Sequence, residues 1–138
     1  MKKKVTLGWL EKVWFPEFGT PDSGVVAKVD TGADSGALHC ALERLVRDEN
    51  GQTVLEFQPF NTSHPMIRTT DYKRILVRSS NGLMEERHRI KTKLRLSDGN
   101  EHKIELTLAD RTDMNYEVII GRKFLDNKFL VDVSKENI

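Results

Sequence analysis

The residues best suited to chemistry lie in the run VVAKVDTGADSGALHC, residues 25–40, where Asp30-Thr31-Gly32 follows alternating small apolar residues. Val25, Ala27 and Val29 share one face of an extended segment, so Asp30 is expected at the end of a strand that enters the core. An unpaired carboxylate in such a place is costly unless it is hydrogen-bonded or neutralised. Gly32 permits a sharp turn that leaves backbone N–H groups free to point at the carboxylate, and the Thr31 hydroxyl can lock that turn. An acid held this way could give or take a proton. Two related runs read differently. Asp22-Ser23-Gly24 follows a proline in a turn-rich segment, and Asp34-Ser35-Gly36 precedes good helix formers, so both suit backbone capping. A bare Asp-Thr-Gly is itself more often a structural turn than a catalytic one.

The elements that would position Asp30 are mostly strands. Val, Ile, Thr and Leu recur in short alternating runs broken by Gly, Asn, Asp and Pro. Strands are expected at Val5 to Val13, Val25 to Thr31, Thr53 to Phe57, Arg74 to Ser79, Glu86 to Leu96, Lys103 to Leu108 and Glu117 to Ile120, with FLVDV near the end as the last. Asn81-Gly82 suits a two-residue hairpin turn between the fourth and fifth of these. Leu38, Leu42, Leu45 and Val46 fall on one helical face, so Ala37 to Arg47 is read as a helix capped by Ser35; Gly36 weakens its start, and a strand is the alternative. Gly121 to Asn127 is read as a short helical turn. FQPFNTSHPMIRTT, with two prolines and no sustained period, reads as an irregular excursion. Trp9, Trp14, Phe15 and Phe18 are expected as a contiguous core or interface cluster.

Far downstream, YEVIIGRKFLDNKFLVD sets Val118, Ile119 and Ile120 directly before Gly121-Arg122. An Asp-Thr-Gly-Ala followed by a glycine-tipped hairpin, then branched aliphatics and Gly-Arg, then a short helix, resembles the retropepsin-type aspartic proteases. GWLEKVWFP, AKVDTGADSGALH, LADRTDMNYEVIIGR and FLVDV resemble more closely the bacterial branch that carries the label ATP-dependent zinc protease. The likeness covers nearly the whole chain, in order. It implies one domain over 1–138, a mainly β fold with a closed or partly open barrel of the acid-protease type, and one or two short helices.

For the site, the resemblance implies Asp30, Thr31 and Gly32 as the catalytic turn, with Asp30 as general acid or base. Ser80, Asn81 and Gly82 match the tip of a flap over the substrate, and Ala33, Gly121 and Arg122 give structural support. Aspartic proteolysis needs two neighbouring carboxyls, one holding a proton while the other activates water. With one suitable Asp-Thr-Gly per chain, the second would come from a two-fold mate, so a homodimer acting on an extended peptide or protein is implied. The alternative is a non-catalytic dimer of the same fold that binds a peptide or protein, serving an ATP-grasp peptide ligase system with which relatives are associated. Asp34-Ser35-Gly36 departs from the Lys-Thr-Ser that close relatives carry. His39 reads as a structural residue.

The label's other terms lack residues to carry them. No G-x-x-x-x-G-K-[ST] occurs to cradle phosphates, and His39, His64, His88 and His102 are too scattered for a zinc motif, so no cofactor or metal is expected. A zinc-dependent hydrolase remains the third reading. A formal charge of +1, from 22 Lys and Arg against 21 Asp and Glu, gives no bulk pull toward nucleic acid. The charged run Glu85 to Arg89 reads as the solvated face of a hairpin with cross-strand charge pairs, or as the rim of a peptide groove. No stretch approaches a membrane span, Glu11 and Lys12 interrupt the apolar run of the basic start, and a lone Cys40 suits a reducing, cytoplasmic setting.

Overall fold

The computed structural model describes residues 3–78, 81–112 and 114–137. Its strands are β1 (Val5–Val13), β2 (Val25–Val29), β3 (Gly36–Arg47), β4 (Thr53–Pro59), β5 (Ile67–Thr69), β6 (Tyr72–Arg78), β7 (Met84–Arg95), β8 (Glu101–Ala109), β9 (Val118–Ile120) and β10 (Phe129–Glu136). A 3-10 turn at Pro16–Phe18 and a one-turn helix, α1 (Arg122–Leu125), are the helical elements. The fold is mainly β, as the alternating pattern predicts.

The strands follow the order β10-β1-β2-β9-β3-β8-β7-β6, with β4 and β5 extending from β3. β10 and β6 stand at opposite ends of that path, so the sheet is open rather than a closed barrel. Period-two patterning explains which face of each strand is buried. Along β7, Ile90, Thr92 and Leu94 are buried while Lys91 and Lys93 are exposed; along β8, Ile104, Leu106 and Leu108 are buried while Lys103 and Glu105 are exposed. β9 lies between β2 and β3, and all three of its residues are buried.

Residues 37–47 are strand, not helix. The first half of β3 pairs with β8 and β9, then the register shifts between Cys40 and Leu42, and the second half pairs with β4 alone. Leu38 is buried, but Leu42 and Leu45, beyond the shift, are exposed, so the helical spacing of the leucines marks no common buried face, and the ladder with β4 overrides helix propensity. Asn50-Gly51 marks the hairpin that joins them, with Gly51 at φ +77° and the Asp48 carboxylate accepting from the Asn50 and Gln52 N–H groups. The segment read as irregular ends in the short strand β5, which pairs with β4. Buried Glu56 on β4 accepts from Arg44 on β3 and Arg68 on β5, both at 2.7 Å, binding the three strands together.

The expected aromatic cluster divides. Phe15 and Phe18 stack at 5.5 Å in the core with Phe57 and Phe60 nearby. Trp14 instead lies under Arg95 and donates to Asp22 O, and Trp9 packs edge-on against Tyr116. Among the described residues, no helix is long and apolar enough to cross a membrane.

Candidate active site

Buried Ala27 and Val29 anchor β2 in the sheet, and β2 ends by presenting Asp30, half-buried, at its tip. The Asp30 N–H donates to Ile120 O at 2.9 Å, continuing the parallel pairing of β2 with β9. The Gly32 N–H donates to Asp30 Oδ1 at 2.9 Å, the turn anticipated from Asp-Thr-Gly, and the Ala33 N–H donates to Asp30 O at 3.2 Å. One carboxylate oxygen is fixed by the backbone. Thr31 and Gly32 are exposed.

A second loop, from β9 into α1, crosses the first. The Arg122 N–H donates to Ala33 O at 2.8 Å and the Lys123 N–H to Asp34 O at 3.0 Å. A Cβ on Gly121 would lie 2.6 Å from the Ser35 carbonyl carbon, so only glycine lets the loops meet this closely. The Arg122 guanidinium reaches back to Thr31 O at 3.0 Å. Buried Phe124 and Leu125 pin α1 to the core beneath. Asp34 is exposed and ion-paired to Arg122 at 3.8 Å and Lys123 at 3.6 Å, so its charge is answered from the crossing loop.

The structure therefore gathers Asp30, Thr31, Gly32, Ala33, Gly121 and Arg122 into one cluster. Asn81 and Gly82 are not part of it: they sit exposed at the tip of the β6–β7 hairpin, Gly82 at φ +84°, and Ser80 lies outside the described residues. Near that tip Leu76, Leu83 and Met84 are exposed. His88 Nδ1 lies 2.6 Å from Glu43 Oε2, tying this hairpin to β3. His39 is buried and structural, its Nδ1 accepting the Arg111 N–H at 2.7 Å.

Arg111, on the connection from β8 to β9, has no spacing signal in the sequence. Its Nε donates to Tyr116 O at 2.9 Å. Burial and the neighbouring Arg87 charge press this guanidinium below its usual value, with the Asp30 carboxylate opposing them. Among the described residues no group of three His, Cys, Asp or Glu side chains converges to hold a metal ion.

An open β-sheet that ends β2 in Asp-Thr-Gly, crossed by a Gly-Arg loop, defines the retropepsin-like class of aspartic protease folds. The model of the RimB-like family, described as retropepsin-like aspartic endopeptidase RimB, matches residues 6–138, and the chain belongs to that family. Among curated proteins it is similar to probable alpha-L-glutamate ligases of Shewanella pealeana, 35% identical over 96% of this chain, and of Desulfotalea psychrophila, 30% identical over 98%. It spans 29% and 31% of those relatives' lengths, so most of each ligase has no counterpart here. The crystal structure of Lpg0085 from Legionella pneumophila, a protein of unknown function, has the same fold, with a TM-score of 0.75, 20% identity and 98% coverage of both chains.

Proposed function

We propose that this chain is an aspartic endopeptidase that acts as a two-fold homodimer on an acidic, extended peptide. The observation that carries the reading is the Asp30 turn: a half-buried carboxylate with one oxygen fixed by the Gly32 N–H, in a chain that belongs to a family described as aspartic endopeptidases. One chain supplies one such carboxylate. Its two-fold mate supplies the second, and the pair shares a proton: the ionised member takes a proton from water as it attacks the peptide carbonyl, while the protonated member gives one to the carbonyl oxygen. Thr31 and Gly32 sit on the exposed side, where the mate would approach. Beside them lies a surface cavity of about 630 Å³ bordered by Thr31, Arg122, Leu125, Phe129 and Leu130. The edge strand β10 adds exposed Leu130 and Val133, so apolar surface adjoins the half-site as dimerisation requires.

An acidic substrate is supported by the names of the relatives, since a glutamate ligase handles glutamate carboxylates, and by cationic Arg111, whose guanidinium feels the Asp30 charge. A second reading follows from the same comparison. A unit that makes up less than a third of a ligase could serve as its peptide-binding module without cleaving anything. Replacing Asp30 by Asn separates the two. Under the peptidase reading, cleavage of glutamate-rich peptides disappears while dimerisation in sedimentation persists, and pepstatin-like compounds inhibit the wild type where chelators do not. Cleavage that survives Asp30→Asn refutes the peptidase reading.

A further inference from the structure

Lys93 on β7 and Lys103 on β8 stand directly opposite each other, and Lys91 stands one step along the same face, opposite Glu105. Arg95 exchanges both of its main-chain bonds with Trp14, and the Lys93 N–H turns away from β8 to Glu17 Oε1 at 3.2 Å. By the alternation of an antiparallel ladder, Lys93 and Lys103 are therefore a non-hydrogen-bonded pair, the kind whose side chains lie closest, and like charges so placed repel. Among the described residues no carboxylate answers them: Lys91, Lys93 and Lys103 are exposed and make no ion pair, and Glu105 is taken by Arg89 at 3.6 Å.

The three lysines border a surface cavity of about 430 Å³ together with Glu17 and Asp71. Lys103 is shared with an adjoining cavity of about 160 Å³ that Lys128 also lines. Glu17 is turned toward β7, its Oε1 accepting from the Thr92 hydroxyl at 2.8 Å as well as from Lys93 N–H. Lys91, Lys93, Lys103 and Lys128 thus stand without an ion pair against Glu17 and Asp71, four positive charges to two negative, an excess of two.

The structure assigns this cavity as a binding site for a phosphate-bearing small molecule, its dianionic head seated between Lys93 and Lys103 with Lys91 beside it. A carboxylate carries one charge and is best matched by the planar fork of an arginine, whereas a phosphate group carries about −1.5 to −2 at neutral pH and takes ammonium groups as point charges from several directions. Three flexible stems rising from adjacent positions of one sheet face can converge on such a head, and its charge equals the excess that the rim presents. The cavity has the size of a small-molecule site, in the range of about 300–1,000 Å³. None of Asp30, Thr31, Gly32, Ala33, Gly121 and Arg122 lines it, so the site stands whether or not the chain cleaves peptides.

The test is isothermal titration and thermal unfolding at constant ionic strength, with inorganic phosphate, glycerol 3-phosphate as a monoester and acetate as a single-charge reference. Wild type, Lys93→Gln/Lys103→Gln and, as a charge control, exposed Lys12→Gln are compared. Wild type should bind one of the two phosphates at least about tenfold more tightly than acetate, with a Tm that rises as the ligand is added. Lys93→Gln/Lys103→Gln should weaken that binding by about tenfold or more and, with no ligand present, should have a higher Tm than wild type, because the facing charges are gone. Lys12→Gln should change neither. Tighter binding of the monoester makes an organic phosphate the occupant, and equal or tighter binding of inorganic phosphate makes it the free ion; both support the site. Phosphates bound no better than acetate, binding undiminished in Lys93→Gln/Lys103→Gln, an equal loss in Lys12→Gln, or a ligand-free Tm that does not rise overturns the assignment.

Discussion

Replacing Gly121 by Ala tests whether the crossing of two loops is what positions Asp30. Gly121 has φ −100°, ordinary for any residue, so the change costs nothing in backbone conformation. Its cost is steric. The new methyl would meet Ser35 C at 2.6 Å, Ser35 O at 2.8 Å and Ala33 O at 3.0 Å, all backbone atoms that cannot rotate aside. Restoring a normal carbon contact of about 3.5 Å means moving the loops apart by roughly 0.5–1 Å. The bonds from Arg122 N to Ala33 O, at 2.8 Å, and from Lys123 N to Asp34 O, at 3.0 Å, span that gap and would stretch beyond good geometry. Overpacking costs about 1–3 kcal/mol and two weakened bonds about 1 kcal/mol each, less about 0.4–1 kcal/mol from the stiffer unfolded chain. The expected loss is about 2–4 kcal/mol, or roughly 6–15 °C in Tm for a chain of this length. Urea unfolding followed by fluorescence should show a lower midpoint with an unchanged slope. Gly51→Ala, at φ +77° with nothing within 4 Å, is the comparison, costing only the left-handed backbone, about 1–2 kcal/mol. If Gly121→Ala loses less than about 0.5 kcal/mol, below the smallest overpacking cost, the loops are not locked and the account of the site is wrong.

Three further outcomes are expected. The Arg44 and Arg68 hydrogen bonds hold Glu56 below its ordinary value of 4.5, so the stability it contributes is complete above that pH and is lost as pH falls through the lower folded value; the Tm gap between wild type and Glu56→Gln should be wide at neutral pH and narrow in acid, and a gap that ignores pH refutes the clamp. Burial, then the Glu43 charge, pushes the Cys40 thiol far above its usual value, so at pH 8 Ellman's reagent should react with native protein at least about a hundredfold more slowly than with protein unfolded in urea; rapid native reaction contradicts the buried site. Val133→Glu, on the exposed side of β10, should weaken the proposed self-association by tenfold or more in sedimentation without lowering the monomer's Tm, and undiminished association would exclude this face from the proposed dimer.

Much of the sheet was legible because its strands alternate. Val5 to Val13 has the same bounds in sequence and structure, and Asn81-Gly82 lies where the hairpin turns. The Asp30 turn was legible too, since Gly32 allows the bond that holds the carboxylate. β3 was not, because Leu38, Leu42, Leu45 and Val46 imitate a helical stripe although only Leu38 among them is buried on the strand. Asn50-Gly51 was the signal that could have corrected it. The role of Gly121 as a close-contact residue depends on Ser35, 86 positions earlier, which no local pattern reveals. Arg111 was equally hidden: it bonds to Tyr116 along the chain, but to His39 only through the fold.

β3 belongs to two neighbourhoods at once. Its opening residues carry Gly36, wedged against Ile119 O where any side chain would collide, beside the loop that bears the acid. Its closing residues run out to the Asp48 turn and are riveted by Glu56 between two guanidiniums. The strand therefore carries one continuous backbone from the outlying hairpin to the shoulder of the loop that seats Asp30.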